Sequence, residues 1–245
     1  MRDAWWRVGG WAIHGWEGGT GPPIVLVHGL GVSGRYLLPT ARALTPRFRV
    51  VVPDLPGFGL SMRPPRPLLL SELSAFVDRF SEAAGIERAT FLANSFGCQV
   101  VTHLAATEPA RVERLILVGP SVDDSARDPV RQAWRLLVDS LREPSRLVRI
   151  VAADYLRAGP ATVAVTAAEA LRDRIEENAR RVSAPTLVVR GSRDPLVPQA
   201  WAERLAAAFP ASELQVVEGF PHAVNYTAPD VLAALVSAGT ASAPG

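Results

Sequence analysis

Short apolar runs bounded by glycine and proline recur along this chain and alternate with longer amphipathic segments. A run of four to eight apolar residues has the length of a buried strand, and the amphipathic stretches have the length of crossover helices. Parallel strands need such crossovers, whereas antiparallel strands can be joined by tight hairpins. The alternation therefore predicts an α/β chain with a mostly parallel sheet flanked by helices.

The pattern predicts eight strands, and an antiparallel start, because Gly9-Gly10 is a two-residue hairpin signal between the first two. Strands are expected near Trp5–Val8, Trp11–His14, Ile24–His28, Arg49–Pro53, Ala89–Asn94, Leu115–Gly119, Thr186–Gly191 and Glu213–Val217. Helices are expected at about 35–44, 71–84, 96–107, 198–208 and 228–237.

The alternation stops between the sixth and seventh predicted strands, where the sequence is typical of one helix after another. We therefore expect residues 1–120 and 184–245 to form the core of the molecule. Residues 121–183, here named the cap segment, are expected to be a helical insertion into that core. An apolar face on one of its helices predicts that this helix covers an apolar surface; the face comprises Val130, Trp134, Leu137, Val138 and Leu141.

Composition excludes several classes of protein. The 26 basic and 24 acidic residues leave a formal charge of +2, which is too small a bias to indicate nucleic acid or an anionic membrane as the partner. The single cysteine excludes an intramolecular disulfide framework, and no cysteine–histidine spacing fits structural zinc. The N-terminal residues lack the apolar stretch of a signal peptide. We therefore expect a cytoplasmic protein, with its oligomeric state left open.

One stretch, Phe91–Cys98, joins an apolar strand directly to a helix at Ser95. A serine on so sharp a turn has a strained backbone, and the residues two positions away must be small so that strand and helix can approach. Ala93 and Gly97 meet this requirement, although Ala93 replaces the first glycine of the usual G-x-S-x-G pattern. The stretch predicts a nucleophile elbow; taken alone, it also fits an ordinary serine at a helix N-terminus.

The stretch Ile24–Gly31 is a buried strand followed by a glycine-rich turn. Such a turn can direct a backbone N–H toward an oxyanion that develops during acyl transfer. Leu30 is the expected first donor. The N–H of Phe96, at the start of the helix after Ser95, is the expected second donor of this oxyanion hole.

An acid and a histidine each follow one of the last two predicted strands. Asp194 stands just past Thr186–Gly191, and His222 lies on a loop after the final strand. Parallel α/β sheets place their sites at the carboxyl ends of the strands. We expect Asp194 to orient His222 and His222 to act as the base for Ser95, in the chain order serine, aspartate, histidine.

These motifs resemble those of the α/β-hydrolase fold superfamily. The loop Asp54–Ser61 matches its D-x-P-G-x-G-x-S pattern, and the cap segment lies where its members place a helical cap. The resemblance extends over nearly the whole chain. It implies a serine hydrolase with a Ser95–His222–Asp194 triad under a helical lid, acting on a small molecule without a metal or an organic cofactor.

Other residues with chemical potential are expected to be structural. In the superfamily, a histidine placed like His28 holds the oxyanion turn by hydrogen bonds, and Asp54 is expected to cap its own loop. Some members carry the triad acid after the sixth strand, where this chain has Asp123 and Asp124, but Asp194 is favoured. Packing or structural roles are also expected for His14, Ser61, Cys98, His103 and Trp134.

The expected substrate is a small, largely apolar ester or related acyl compound, because the cap segment is expected to turn aliphatic and aromatic side chains toward the pocket. Two alternatives stay open. Asn94 before Ser95 resembles the Asn-Ser pair of carbon–carbon bond hydrolases that cleave ring-fission products, although Ala223 replaces the tryptophan that usually follows their histidine. The superfamily also includes small-molecule receptors that keep a triad but turn over slowly or only once.

Overall fold

A computed structural model of the chain describes residues 1–124 and 127–238. Eight strands form one sheet in the order β1-β2-β4-β3-β5-β6-β7-β8. Only the pairs β1–β2 and β2–β4 are antiparallel. The predicted fold class and the antiparallel start are therefore confirmed. The strands are β1 Arg2–Val8, β2 Trp11–Gly18, β3 Pro23–Val27, β4 Arg49–Pro53, β5 Ala89–Asn94, β6 Val112–Val118, β7 Thr186–Gly191 and β8 Ser212–Val217.

The largest boundary difference is in β2, which continues four residues past the predicted end at His14. Three of the four extra residues, Gly15, Glu17 and Gly18, are weak strand formers by themselves, but the segment pairs on both sides. Glu17 pairs with Arg2 of β1, and Gly18 pairs with Val50 of β4. Pairing with two neighbours thus overrides local propensity at this end of the sheet.

The described residues form ten α-helices, of which eight lie between strands and two follow β8. They are α1 Leu38–Leu44, α2 Leu70–Ala83, α3 Phe96–Thr107, α4 Pro129–Ser140, α5 Ser145–Ala158, α6 Pro160–Arg172, α7 Ile175–Ala179, α8 Gln199–Ala208, α9 Val224–Thr227 and α10 Pro229–Ala238. A 3₁₀ turn at Gly34–Leu37 takes the place of the first turn of the predicted helix 35–44. The short helix α9 was not predicted.

The central strand β5 is buried along its whole length, with helices packed over both faces of the sheet. Side chains of a strand alternate between its two faces. Phe91 and Ala93 accordingly pack in the apolar layer that includes α2, α3 and α8. Leu92 packs in the opposite layer with residues of α1 and α10. This double burial fixes the carboxyl end of β5, and therefore the start of α3, inside the molecule.

The cap segment leaves the sheet after β6 and returns to it at β7. Its described residues contain α4, α5, α6 and α7 and no strand. It leaves at the carboxyl end of β6 and returns at the amino end of β7. Residues of α4, α5 and α6 line the same cavity as Asn94, where β5 ends, so these helices lie over that end of the strand. The division of the chain into a core and a cap domain remains a prediction.

The orientation predicted for α4 is wrong. Four of the five side chains expected to cover an apolar surface are exposed, at 76% for Val130, 64% for Trp134, 53% for Leu137 and 81% for Leu141, while Val138 is half-buried. The opposite face turns inward because two of its polar side chains have specific partners. Arg135 donates to Asp123 Oδ2 at 3.0 Å, and Asp139 accepts from the backbone N–H of His222 at 3.2 Å.

This orientation predicts different effects for two leucines of the cap segment. Leu141→Ala should change the free energy of unfolding by less than about 0.5 kcal/mol, because the side chain is exposed. Leu147→Ala should lower it by about 2 kcal/mol or more, because Leu147 is 2% exposed in the apolar layer. Urea denaturation of both variants measures the difference. Equal losses would show that the apolar face of α4 is buried in solution.

Candidate active site

Ser95 lies between β5 and α3 with φ 56° and ψ −126°. Among the described residues, it is the only one other than glycine with a positive φ. Its backbone N–H donates to the carbonyl of Val118 on the neighbouring strand at 3.0 Å. A Cβ on Gly97 would lie 2.6 Å from the carbonyl oxygen of Val27 and 2.7 Å from that of His28. The predicted strained turn and its need for a small residue at position 97 are confirmed.

Asp194 and His222 come together at the ends of adjacent strands. Asp194 Oδ2 and His222 Nδ1 are 2.7 Å apart, and both side chains are buried. The other oxygen of Asp194 accepts from the N–H groups of Leu196 at 2.8 Å and Val197 at 3.1 Å. This carboxylate is therefore fixed by the start of its own loop, and it fixes the imidazole in turn.

The alternative acids are paired with arginines. Asp123 pairs with Arg135 of α4, and Asp124 pairs with Arg204 of α8 at 2.6 Å. Both are therefore engaged in joining the start of the cap segment to other elements. Of the three acids considered from the sequence, Asp194 is the one that the fold brings to the histidine.

Ser95 and His222 line the same cavity, but no hydrogen bond joins them. The Ser95 hydroxyl lies 3.2 Å from the hydroxyl of Ser121, which follows β6. The Nε2 atom of His222 is buried and has no hydrogen-bond partner in the described part of the chain. The resting arrangement therefore contains an assembled aspartate–histidine pair and a serine hydroxyl held by a second serine.

The cavity has a volume of about 320 Å³ and lies between the cap segment and the carboxyl ends of the strands. Most of its lining is apolar, and α4, α5 and α6 all contribute to it. Leu136, Leu147, Val151 and Leu171 are examples. The cap segment thus does supply apolar side chains to the pocket, but mostly from α5 and α6 and not from the predicted face of α4.

The two residues predicted to supply oxyanion donors, Leu30 and Phe96, both line this cavity. Tyr36, which sequence reasoning missed, ties the glycine-rich turn to the elbow. Its hydroxyl accepts from the N–H of Gly29 at 3.1 Å and donates to Asn94 Oδ1 at 2.6 Å. Burial raises the pKa of Tyr36, which keeps the hydroxyl protonated as this geometry requires.

The structural roles expected for two neighbouring residues are confirmed. His28 Nε2 accepts from the N–H of Leu55 at 2.9 Å, and its Nδ1 lies 2.9 Å from the carbonyl oxygen of Gly29. Asp54 accepts from the N–H of Leu60 at 2.9 Å and so caps its own loop. His14 pairs with the same carboxylate at 2.7 Å. These contacts brace the loops on either side of the site.

Two carboxylates of the cap segment reach the loop that carries His222. Asp139 Oδ1 accepts from the N–H of His222 at 3.2 Å, and Glu143 Oε1 accepts from the N–H of Ala223 at 2.7 Å. Both carboxylates also line the cavity. The sequence carried no signal for this role, because Asp139 and Glu143 fall outside the apolar face and look like ordinary solvated acids.

The carboxylates determine the protonation of His222. Burial alone would lower its pKa, but the Asp194 carboxylate and its hydrogen bond, together with Asp139 and Glu143, outweigh burial and raise the pKa to about 9. Burial raises the pKa of Glu143 to about 7, and it also raises that of Asp139. His222 is therefore mostly protonated at neutral pH in this arrangement.

Three other features were considered: a metal site, a reactive cysteine and a membrane-spanning helix. Among residues 1–124 and 127–238, no group of three or more histidine, cysteine or acidic side chains is placed to hold a metal ion. Burial raises the pKa of the Cys98 thiol well above its usual value, which fits a packing role. In the same ranges, every helix is too short or too polar to cross a bilayer.

The chain is similar to protein-family models, to named proteins and to solved structures. A family model described as "alpha/beta hydrolase fold" matches residues 22–149, just over half of the chain, and a second described as "TAP-like protein" matches 151–238. The pimeloyl-(acyl-carrier protein) methyl ester esterase of Vibrio campbellii is 38% identical over 119 residues. That match spans 49% of this chain but only 45% of the relative, less than half of its length.

Two further proteins match over nearly their whole length. The protein named as carbamate hydrolase RutD in Escherichia coli O81 is 29% identical, over 90% of this chain and 92% of its own. The solved structure of the meta-cleavage product hydrolase from Pseudomonas fluorescens IP01 has a TM-score of 0.79 at 23% identity and covers 98% of both chains. At that identity, the likeness shows a shared fold.

The geometry around His222 predicts a measurable pKa. We expect NMR titration of the imidazole carbons to give a pKa of about 9 for His222 in the unaltered protein. In Asp194→Asn the pKa should fall by about 1 to 3 pH units, because the closest negative charge is lost while burial remains. Asp124→Asn, which removes a carboxylate bonded to Arg204, should leave it unchanged. Equal values in all three proteins would contradict the pairing.

Proposed function

Because this chain belongs to the alpha/beta hydrolase fold family, we propose that it is a serine hydrolase in which Ser95 is the nucleophile, His222 the base and Asp194 the orienting acid. The observation that carries the proposal is the aspartate–histidine pair with its unpartnered Nε2, beside the same apolar cavity as Ser95. The names of the relatives, an ester esterase and a carbamate hydrolase, also point to acyl bonds.

The reaction would proceed in two acyl-transfer steps. His222 Nε2 takes the proton of Ser95 while Oγ attacks the carbonyl carbon, and the N–H groups of Leu30 and Phe96 stabilise the oxyanion. The imidazolium then gives its proton to the leaving alcohol as the ester bond breaks, which leaves an acyl-enzyme. Water attacks that acyl group while His222 takes its proton, and His222 then gives this proton to Ser95 Oγ as the acyl–oxygen bond breaks, which releases the acid and the free Ser95.

This mechanism requires the Ser95 hydroxyl to exchange partners. It must leave Ser121 Oγ, its partner at 3.2 Å, and donate to His222 Nε2. Such bonds are often absent before substrate binds and form in the complex. Because Ser121 holds a hydroxyl next to the nucleophile, any experiment that assigns the nucleophile must separate these two serines.

The substrate class proposed is a small, largely apolar ester or related acyl compound. A cavity of about 320 Å³ with a mostly apolar lining fits a short acyl chain, and the helices over it would exclude bulk water. The cap segment acts as the lid in this proposal. We further propose a small-molecule partner and a cytoplasmic location, with neither nucleic acid nor membrane as a partner.

Carbon–carbon bond hydrolysis is the second candidate, supported by Asn94 before Ser95 and by the fold likeness to a meta-cleavage product hydrolase. Asn94, however, is engaged in structural bonds. Its Nδ2 donates to the carbonyl of Val118 at 3.0 Å, and its Oδ1 accepts from Tyr36. The Asn-Ser pair is thus explained by the packing of the elbow, and the ester reaction is favoured.

Covalent labelling tests the nucleophile. A fluorophosphonate should add once to the unaltered protein and to Ser121→Ala, with peptide mapping placing the label on Ser95, and should not add to Ser95→Ala or His222→Ala. Turnover of short-chain 4-nitrophenyl esters should fall by about 10⁴-fold or more in Ser95→Ala. Labelling at Ser121, or undiminished turnover by purified and folded Ser95→Ala, would refute the proposal.

Release of 4-nitrophenol beyond the first equivalent separates an enzyme from a receptor of the same fold, because acylation of Ser95 releases the first equivalent in both. Many turnovers per Ser95 indicate a hydrolase, whereas a single covalent event per chain indicates a receptor. A folded protein that labels at Ser95 but hydrolyses no ester would favour the carbon–carbon reaction instead.

The raised pKa of His222 predicts alkaline-limited activity. The base must be neutral, and with a pKa of about 9 only about one His222 in a hundred is neutral at pH 7. kcat/KM should therefore rise about tenfold per pH unit from pH 6 to pH 8 and level off above about pH 9. A stopped-flow pH profile on a non-ionising ester measures this. A plateau already reached at pH 7 would show that His222 is not held protonated.

A further inference from the structure

The carboxylates Asp139 and Glu143 enter the proposed substrate cavity next to the reacting histidine. Asp139 is the next-to-last residue of α4, and Glu143 lies one turn further along. The C-terminal end of a helix carries negative potential, so the helix adds to both charges. His222, which is 93% buried with its Nε2 unpartnered, lines the same end of the cavity. The carboxylates are thus placed where substrate must come.

Apart from His222, none of the described residues that line the cavity supplies a cation to balance them. The chain has no lysine, and within the described ranges none of the residues lining the cavity is an arginine. Arg142, the nearest arginine in sequence, has a charge that partly offsets the raised pKa of Asp139, but its side chain is exposed and donates to the carbonyl of Arg193. At pH 8, above the Glu143 pKa of about 7, the carboxylates of Asp139, Glu143 and Asp194 outnumber the imidazolium charge even with His222 protonated.

We infer that Asp139 and Glu143 determine substrate specificity by charge: the cavity accepts uncharged acyl groups and rejects acyl groups that carry a carboxylate. The inference rests on the proposed serine hydrolase function, and it narrows the substrate class from apolar acyl compounds to uncharged ones. It also disfavours substrates whose acyl half is itself an acid.

The reason is electrostatic. A carboxylate that enters a largely apolar cavity loses its hydration and, above the Glu143 pKa of about 7, meets the negative charges of Asp139 and Glu143. None of the described residues that line the cavity is an arginine that could pair with it. Like charges brought together in such a site oppose binding strongly. An uncharged acyl group of the same shape is not repelled, and its binding is favoured by contact with the apolar lining.

The test compares two esters that differ in one charge. The 4-nitrophenyl half-ester of adipic acid and 4-nitrophenyl 6-methylheptanoate have acyl groups of nearly the same shape, because two methyl groups replace the two carboxylate oxygens. We expect kcat/KM for the anionic ester to be about 100-fold lower or more in the unaltered protein.

Variants of the two acids test whether their charge or only their polarity causes the preference for the neutral ester. In Asp139→Asn/Glu143→Gln, the ratio of kcat/KM for the anionic ester to that for the neutral ester should rise about tenfold or more, because both negative charges are lost. The amides keep the oxygens that accept from the N–H groups of His222 and Ala223. An unchanged ratio would overturn the inference, since apolar packing alone would then explain the preference.

Glu177→Gln is the matched control, because it removes one exposed carboxylate from the cap segment outside the cavity. It should leave the ratio at its original value. If the double variant does not fold, as judged by thermal unfolding, the single variant Glu143→Gln gives the same comparison with a smaller expected rise of several-fold. A ratio that rises equally in Glu177→Gln would assign the effect to net charge and overturn the inference.

Binding measured without turnover separates this inference from the proposed function. Calorimetric titration of the Ser95→Ala protein with adipamate and with 6-methylheptanamide compares the same two shapes. Stronger binding of the neutral amide, lost when Asp139→Asn/Glu143→Gln is added, supports the charge selection even if no ester is hydrolysed. Equal binding of both amides overturns it even if esters are hydrolysed.

Discussion

The backbone of Ser95 is the constraint on which the site depends. A positive φ costs a residue other than glycine about 1 to 2 kcal/mol, so the surrounding structure must hold it. It is held from two sides. The Ser95 N–H is bonded to β6, and α3 lies so close to the carbonyls at the end of β3 that only glycine fits at position 97. The central, fully buried β5 supplies the rigidity that this turn requires.

The parallel arrangement of the strands brings Asp194 and His222 together. β7 and β8 are neighbours that run in the same direction, so the loops after them leave from the same edge of the sheet. Asp194 and His222 are far apart in sequence but 2.7 Å apart in space for this reason. Close backbone approach tightens the arrangement, since a Cβ on Gly191 would lie 2.2 Å from the carbonyl oxygen of Phe220. Ser95, Asp194 and His222 could be predicted from the sequence because each follows a predicted strand, and nearby glycines mark the close backbone contacts.

The features that sequence reasoning missed depend on the orientation of α4. Hydrophobic periodicity shows which residues share a helical face, but it does not show which face turns inward. Here the apolar face of Trp134 and Leu141 lies outside, while Arg135 bonds to Asp123 at the start of the cap segment and Asp139 bonds to His222 of the core. Neither bond joins residues within one or two helical turns of each other, so hydrophobic periodicity could not reveal them. The roles of Asp139 and Glu143 follow only once this orientation is known.

Asp139 and Glu143 have two opposite effects on the proposed reaction. They raise the pKa of His222 and so reduce the neutral fraction available to accept a proton at pH 7. They also stabilise the imidazolium that forms as Ser95 attacks, and they face the acid that hydrolysis releases. That acid ionises beside Asp139 and Glu143, where a negative charge is unfavourable, so the product is driven out by the charges that exclude anionic substrates. Such a pocket has lower activity at neutral pH, but its charges favour the entry of an uncharged substrate and the release of an anionic product.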